Sequence, residues 1–171
     1  MRRPFLRVVR ASLVLATAFT GCSSSATTGT YTLSFQSTQE AVAVDTVRVL
    51  VFDASGPGAA SLCTDLLSRH ASKADLPAPL VELPATSLCD LRGGSSRAGS
   101  FDVPFGTVAV FAIAQRGQAD LARGCAIQRL TSDATNVNVE LSLAIDQPGL
   151  SVPPTQCMSL AQHCANACPR P

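Results

Sequence analysis

The chain has 171 residues, of which 46% are hydrophobic and 15% are charged, with 13 Lys and Arg against 12 Asp and Glu. Four of the basic residues and no acidic residue lie within the first 21 positions, so the remaining 150 residues carry a formal charge of 9 − 12 = −3. That part contains one lysine, Lys73, and no basic cluster, which argues against nucleic-acid binding, and its length fits one domain.

The N-terminus combines positive charge with a short apolar run. The charge comes from four arginines: Arg2, Arg3, Arg7 and Arg10. The apolar run over 11–19 is too short for a transmembrane helix, which needs about 20 residues. Small residues then mark a cleavage point before Cys22. The segment Phe19-Thr20-Gly21-Cys22 resembles the signal of bacterial lipoproteins, except that Phe19 replaces the usual aliphatic residue.

This resemblance implies that residues 1–21 are removed and that Cys22 becomes an acylated N-terminus. Residues 22–30, rich in serine and threonine, are predicted to form a flexible tether. The protein is therefore expected to be exported and anchored by lipid, in the periplasm or on the cell surface, and Ser23 favours the outer membrane by analogy with the family. The alternative is an ordinary secretory signal in which Cys22 has no special role.

Six further cysteines form an even set: Cys63, Cys89, Cys125, Cys157, Cys164 and Cys168. In an oxidising compartment these are expected to form three disulfides, for which the sequence alone permits fifteen pairings. The favoured pairing joins Cys63 to Cys89, which would brace a long insertion, and links Cys125 to the C-terminal tail.

Alternating or continuous apolar residues predict strands in chain order. They cover 31–35, 46–53, 101–105, 108–114, 124–130 and 136–143, with a short edge strand at 80–83. In 46–53, apolar residues on both faces predict a strand that is covered on both sides. Only Ala59–Ser72 and Thr155–Ala167 are predicted to be helical, and neither connects adjacent strands in the way that a parallel βαβ unit requires.

Short strands separated by turns predict an all-β, antiparallel, immunoglobulin-like sandwich of about seven strands, with a long insertion and a short helical cysteine-rich tail. Before strand 108–114, Val103-Pro104-Phe105-Gly106 places proline and glycine where a tight turn needs them. This pattern resembles the carboxypeptidase-regulatory-like, prealbumin-like sandwich domains. The resemblance covers roughly residues 31–145 and implies a noncatalytic spacer or binding module.

The connection 54–99 is much longer than the usual loop of about 4–6 residues, so it is expected to be either functional or covalently fastened. Leu62, Leu66 and Leu67 give its helix an apolar stripe that can lie on the sheet. The glycine-rich part carries Arg92 and Arg97 and is a candidate partner-binding loop, although a fastened surface decoration is the favoured interpretation.

The tail offers an alternative to disulfides, because Cys157, Cys164 and Cys168 with His163 could form a Cys₃His zinc site. Their spacing matches no common zinc motif and an oxidising compartment favours disulfides, so we predict no metal and no cofactor.

Signals for catalysis are sparse. A Ser68, His70 and Asp65 triad or an Asp53 and Asp102 glycosidase pair could be drawn, but neither is supported by a motif. His70 is interpreted as a solvated helix residue.

The predicted organisation is a signal peptide (1–21), a tether (22–30), a β-domain (31–145, with insertion 54–99) and a cysteine-rich tail (146–171). The expected function is a noncatalytic structural or binding module of the cell envelope, attached to the membrane by lipid, with an envelope protein or glycan as partner and no nucleic acid. The alternatives are a small envelope hydrolase or carbohydrate-active enzyme that uses the insertion, and a subunit of an envelope complex.

Overall fold

The structure is a computed structural model that describes residues 26–93, 96–144 and 157–168. The predicted signal peptide 1–21 and Cys22 lie outside the described residues, as does most of the first half of the predicted tail.

Eight strands and three helices occur in these ranges. The strands are β1 (Ala26–Phe35), β2 (Thr46–Asp53), β3 (Val81–Glu82), β4 (Thr86–Ser87), β5 (Arg97–Pro104), β6 (Gly106–Arg116), β7 (Ala119–Leu130) and β8 (Asn136–Leu143). The helices are α1 (Thr38–Val42), α2 (Ala59–Ala71) and α3 (Leu160–Cys164).

The strands form one mixed sheet in the order β3-β2-β6-β7-β8-β1-β5, and β4 also pairs with β2. Every pairing is antiparallel except that of β1 with β8, which is parallel. The sheet curves until β3, at one end of this order, approaches β5 at the other. The prediction of a mostly β fold is confirmed, but the sheet is mixed and barrel-like rather than an antiparallel sandwich, and an immunoglobulin-like arrangement is not confirmed.

The sheet buries apolar side chains on both of its faces, as predicted for the strand at 46–53. Val47, Val49 and Val51 point into the inner core, which the curved sheet encloses. Leu50 and Phe52 lie in an outer core between the sheet and α2. The two-sided pattern follows from the side-chain alternation of a strand.

The other predicted strands are also present, and their faces follow the sequence pattern. In β8, Val137, Val139 and Leu141 are buried, whereas the intervening residues are exposed. The predicted stripe of α2 is correct too, because Leu66 is fully buried in the outer core and Leu62 and Leu67 pack beside it.

Strand directions define two ends of the barrel-like sheet. At the Phe105 end, β1 begins opposite the last residue of β5, since Ala26 pairs with Pro104, and β6 begins where β7 ends, since Gly106 pairs with Leu130. Phe105 occupies the predicted tight turn between Pro104 and Gly106. At the opposite end, β1 leads into α1, and α3 lies against α1.

Three predicted boundaries change. Strand β1 starts at Ala26, so the last five residues of the predicted tether belong to the sheet. Strand β5 starts at Arg97, so the insertion ends three residues before 99. The tail helix spans only Leu160–Cys164 within the described residues, because Ser159 caps its N-terminus.

Candidate functional site

The structure contains a groove where titratable side chains from four elements converge, which we call the His70 groove. Its volume is about 500 Å³, and it lies beside the C-terminal end of α2. It is lined by Arg48 and Leu50 of β2, His70 of α2, Lys73, the segment 74–79, Glu82 of β3 and Asp120 of β7. The predicted insertion therefore contributes a wall of the groove, and the sheet contributes its floor.

A β-bulge at Leu121 places Asp120 in this groove. In the pairing of β6 with β7, Ala114 lies opposite Ala122, but Gln115 lies opposite Asp120, so Leu121 has no partner. Leu121 and Ala122 are both buried in the inner core. Because the extra residue reverses the alternation of side chains, Asp120 shares the outer face with Gln115, whose Nε2 donates a 2.9 Å hydrogen bond to Asp120 Oδ1.

His70 lies between a carboxylate group and a guanidinium group. Its Nε2 lies 3.4 Å from Asp120 Oδ2, and its Nδ1 lies 3.5 Å from Arg123 Nη1. The ring also meets Phe111 edge-on, with the ring centroids 5.4 Å apart. A neutral imidazole satisfies both polar neighbours when Nε2–H donates to the carboxylate and Nδ1 accepts from the guanidinium. Both ring nitrogens therefore face side chains of the protein.

The rim of the groove carries charges of both signs. Arg48 and Glu82 form an ion pair, in which Arg48 Nε donates to Glu82 Oε1 at 3.0 Å. Lys73 follows α2 with a left-handed backbone (φ = 56°). The Ala74 N–H donates to the Arg69 carbonyl at 2.9 Å, which completes a Schellman-type helix end normally built with glycine.

The disulfide between Cys63 and Cys125 fixes the wall of the groove to its floor. It joins α2 to β7 with a Cα–Cα distance of 5.4 Å. His70 lies two turns after Cys63 on the helix, and Arg123 lies two residues before Cys125 on the same face of the strand, so the bond orients both groups. The predicted Cys63–Cys89 pairing, which kept the bond within the insertion, is therefore wrong.

All six predicted cysteines do form disulfides. Cys89 bonds Cys164, which fastens the insertion to α3, and Cys157 bonds Cys168 within the tail. The tail is thus attached through Cys89 instead of Cys125. The predicted set of half-cystines is correct, but the sequence could not supply their partners, because these depend on which elements meet in the fold.

The two arginines of the candidate partner-binding loop have different environments. Arg92 is exposed, and its backbone pairs with Ala98. Arg97 is 5% exposed, and its Nη1 donates to the carbonyls of Leu91 and Gly93 at 3.0 and 2.9 Å. The side chain of Arg97 is therefore directed inward and is not presented to a partner, while the loop itself stays a candidate binding surface through exposed Arg92.

The remaining catalytic and metal alternatives are not assembled as the sequence suggested. Asp65 forms an ion pair with Arg69, at 2.7 Å, instead of supporting His70. The ligand atoms of Cys157, His163 and Cys168 lie within 4.8 Å of one another, but both sulfurs belong to a disulfide. Cys164, the fourth member of the Cys₃His alternative, is bonded to Cys89.

The Asp53 and Asp102 pair is not brought together in one groove. Asp53 lines a different groove, beside the N-terminal end of α2, whose lining does not include Asp102. Hydrogen bonds from the hydroxyl and backbone N–H of Ser55 lower the pKa of Asp53. Asp102 instead accepts a 2.8 Å hydrogen bond from the Thr28 hydroxyl.

The principal residue that sequence reasoning missed is Asp120. Its place at the end of a strand, beside a turn, is ordinary for an aspartate, and only the bulge brings it to His70. The available signal was the hairpin turn at Gly117, which follows a continuous apolar run and is flanked by the polar residues Gln115 and Asp120.

Within 26–93, 96–144 and 157–168, no helix combines the length and the apolar character that crossing a membrane requires. Comparisons of the chain with protein families, with curated proteins and with solved structures found no significant match.

Proposed function

We propose that the protein is an exported lipoprotein, acylated at Cys22, whose noncatalytic β-domain binds an envelope protein or glycan through the His70 groove. The observation that carries this proposal is the pairing of every cysteine after Cys22. Disulfides persist in oxidising compartments and are rare in the cytosol of most organisms. The three disulfides therefore support export. They use six of the seven cysteines, which leaves Cys22 as the one cysteine for the lipid.

The groove supports a role in binding. Its rim presents Arg48, Lys73 and Glu82 to solvent, and a disulfide holds its wall to its floor. A rigid concave surface with polar groups of both signs can accept hydrogen bonds from, and donate them to, a peptide or sugar at small ordering cost.

The environment of His70 supports a noncatalytic role. A general base needs a nitrogen directed at the proton that it removes, whereas both nitrogens of His70 face Asp120 and Arg123. No serine, threonine or cysteine is among the described residues that line the groove. The resemblance of residues 31–145 to carboxypeptidase-regulatory-like domains, which are mostly noncatalytic, stays part of this proposal.

The anchor is tested by replacing the acylated residue. We expect Cys22→Ser to move the protein from the membrane fraction to the soluble fraction of the envelope, because no acyl chain can then be attached. Mass spectrometry of the wild-type N-terminus should show cleavage before Cys22 and a diacylglycerol on its sulfur. An unmodified N-terminus, or a Cys22→Ser variant that stays with membranes as before, would overturn this part of the proposal.

Binding through the groove is tested by site-specific photocrosslinking in intact envelopes. A photoreactive side chain at Ala78, which lines the groove, should yield a discrete adduct that is lost in an Asp120→Ala background. The same side chain at Glu140, exposed on β8, is the control and should not yield that adduct. Equal adducts at both positions would show that the groove is not the binding surface.

A further inference from the structure

The anchor residue and the first residue of the sheet are close in the chain. Three residues, Ser23 to Ser25, separate Cys22 from Ala26, where β1 begins. A chain spans at most about 3.3–3.6 Å per residue, so four steps reach about 14 Å. An acylated Cys22 would therefore hold the start of β1 next to the headgroup region of the bilayer.

The strand register places an exposed aromatic residue at the same level. Ala26 pairs with Pro104, and the next residue, Phe105, is 52% exposed in the turn between β5 and β6. Gly106 has φ = 158°, and the turn is held from both sides because Pro104 ends a paired strand and Gly106 begins one. Phe105 is thus presented on a fixed turn and not on a long loop.

The charges near Phe105 are mainly negative. Exposed residues at this end include Asp53, Asp102 and Asp133 against one arginine, Arg129. Attraction to anionic lipid would need an excess of basic residues. A membrane contact here would have to be apolar, made by the ring of Phe105, since Phe is among the residues that interfacial segments bury at the boundary of headgroups and acyl chains.

The His70 groove lies at the other end of the molecule. Asp120 is near the start of β7, which runs toward the Phe105 end and finishes at Leu130. His70 is in the last turn of α2, a helix that begins after β2 has ended at the Phe105 end. The strand directions therefore separate the groove from the lipidation point.

We propose that Phe105 inserts into the bilayer interface as a second membrane contact, which orients the domain with the His70 groove facing away from the lipid. This inference rests on the proposed acylation of Cys22. We assign the lipid surface as the partner of this exposed turn because only three residues separate Cys22 from Ala26.

The absence of tryptophan from the sequence makes the test direct, because one introduced tryptophan is the only one in the protein. We compare Phe105→Trp with Met158→Trp in the full lipidated chain, reconstituted in phosphatidylcholine vesicles with and without brominated phosphatidylcholine. Met158 is the matched control, since it is 80% exposed and precedes α3 at the opposite end. The brominated lipid should quench the Phe105→Trp variant at least about twofold more than the control, as expected for a ring within the interface.

Equal quenching of the two variants, with an acylated N-terminus and full sedimentation with vesicles, would overturn the contact and leave the proposed anchor intact. An N-terminus without lipid in the mass spectrum would overturn both. The Phe105→Trp variant could also show a side chain that is shielded from water in native membranes but is not quenched by brominated lipid. That result would assign the turn to a protein partner and overturn the inference. Adding anionic lipid should not raise the quenching, and a strong rise would contradict an apolar contact.

Discussion

Arg97 stabilises the segment before β5 from within the protein. Its guanidinium donates to two carbonyls and lies 3.0 Å from Cys164 Sγ, so it connects the insertion to the tail at the Cys89–Cys164 disulfide. Burying a charged side chain is unfavourable unless it is hydrogen-bonded, and here carbonyl groups supply most of the compensation.

We expect Arg97→Ala to lower the free energy of unfolding by about 2–4 kcal/mol, because it removes the donor from the carbonyls of Leu91 and Gly93 and opens a cavity. Urea unfolding under nonreducing conditions measures the change. Arg92→Ala, five residues away and exposed, is the matched control and should change stability by no more than about 0.5 kcal/mol. Similar losses for both variants would contradict the structural role of Arg97.

Lys73 adopts a backbone conformation that costs a non-glycine residue about 1–2 kcal/mol. We expect Lys73→Gly to raise the free energy of unfolding by about 0.5–1 kcal/mol, since the greater entropy of glycine in the unfolded chain offsets part of the gain. Thermal unfolding measures it. Lys73→Ala removes the same charge without relieving the strain, so stabilisation by both variants alike would show that charge and not backbone strain is responsible.

At the scale of elements, the two short helices α1 and α3 are each marked in the sequence by an N-terminal capping motif, which patterns of apolar residues do not detect. Ser37 and Ser159 precede α1 and α3, and each hydroxyl accepts a 3.2 Å hydrogen bond from the backbone N–H three residues later. Those later residues are Glu40 and Gln162, so both segments match the capping-box pattern. Helix α1 was therefore predictable, although apolar periodicity over five residues is too short to show it.

The bulge in β7 was not predictable in the same way. Leu121 and Ala122 are consecutive apolar residues, and both are buried. The same sequence pattern is expected for a regular strand that is covered on both faces, so it does not reveal a bulge. Which residue is unpaired depends on the register with β6, and the register depends on the whole sheet. The most important carboxylate of the candidate site was consequently missed, while the helix that carries His70 was placed correctly.

The disulfides differ in the length of chain that they close, and this predicts an order of stability. Cys63–Cys125 joins residues 62 apart and Cys157–Cys168 joins residues 11 apart. In the chain-entropy account these bonds contribute about 4 and about 3 kcal/mol. We expect the Cys63→Ser/Cys125→Ser variant to unfold at lower urea concentration than Cys157→Ser/Cys168→Ser, and the reverse order would contradict the entropic account.

For the whole molecule, the sequence predicts the strands and their buried faces better than it predicts the order of the strands in the sheet. Apolar patterns identify β2, β6 and β8 because each face of a strand is local information. The parallel pairing of β1 with β8 joins segments more than 100 residues apart, for example Thr30 with Asn136, and no local pattern encodes it. The nearly barrel-like form of the sheet depends on such long-range pairings, so a sandwich was the nearest inference that turns and alternation allowed.

Two disulfides overlap along the chain, because Cys89 lies between Cys63 and Cys125, whereas Cys164 lies beyond both. If the chain is exported N-terminus first, as proposed, Cys63 and Cys89 reach an oxidising compartment before Cys125 does. We therefore expect a transient Cys63–Cys89 bond that thiol–disulfide exchange must later break.

Peptide mapping of nonreduced protein from cells without a periplasmic disulfide isomerase would detect this bond, and native pairing at the wild-type level there would contradict the expectation. A chain that keeps the Cys63–Cys89 bond cannot form either native bond of these two cysteines, so under the proposed export the yield of correctly bonded protein would depend on disulfide isomerisation.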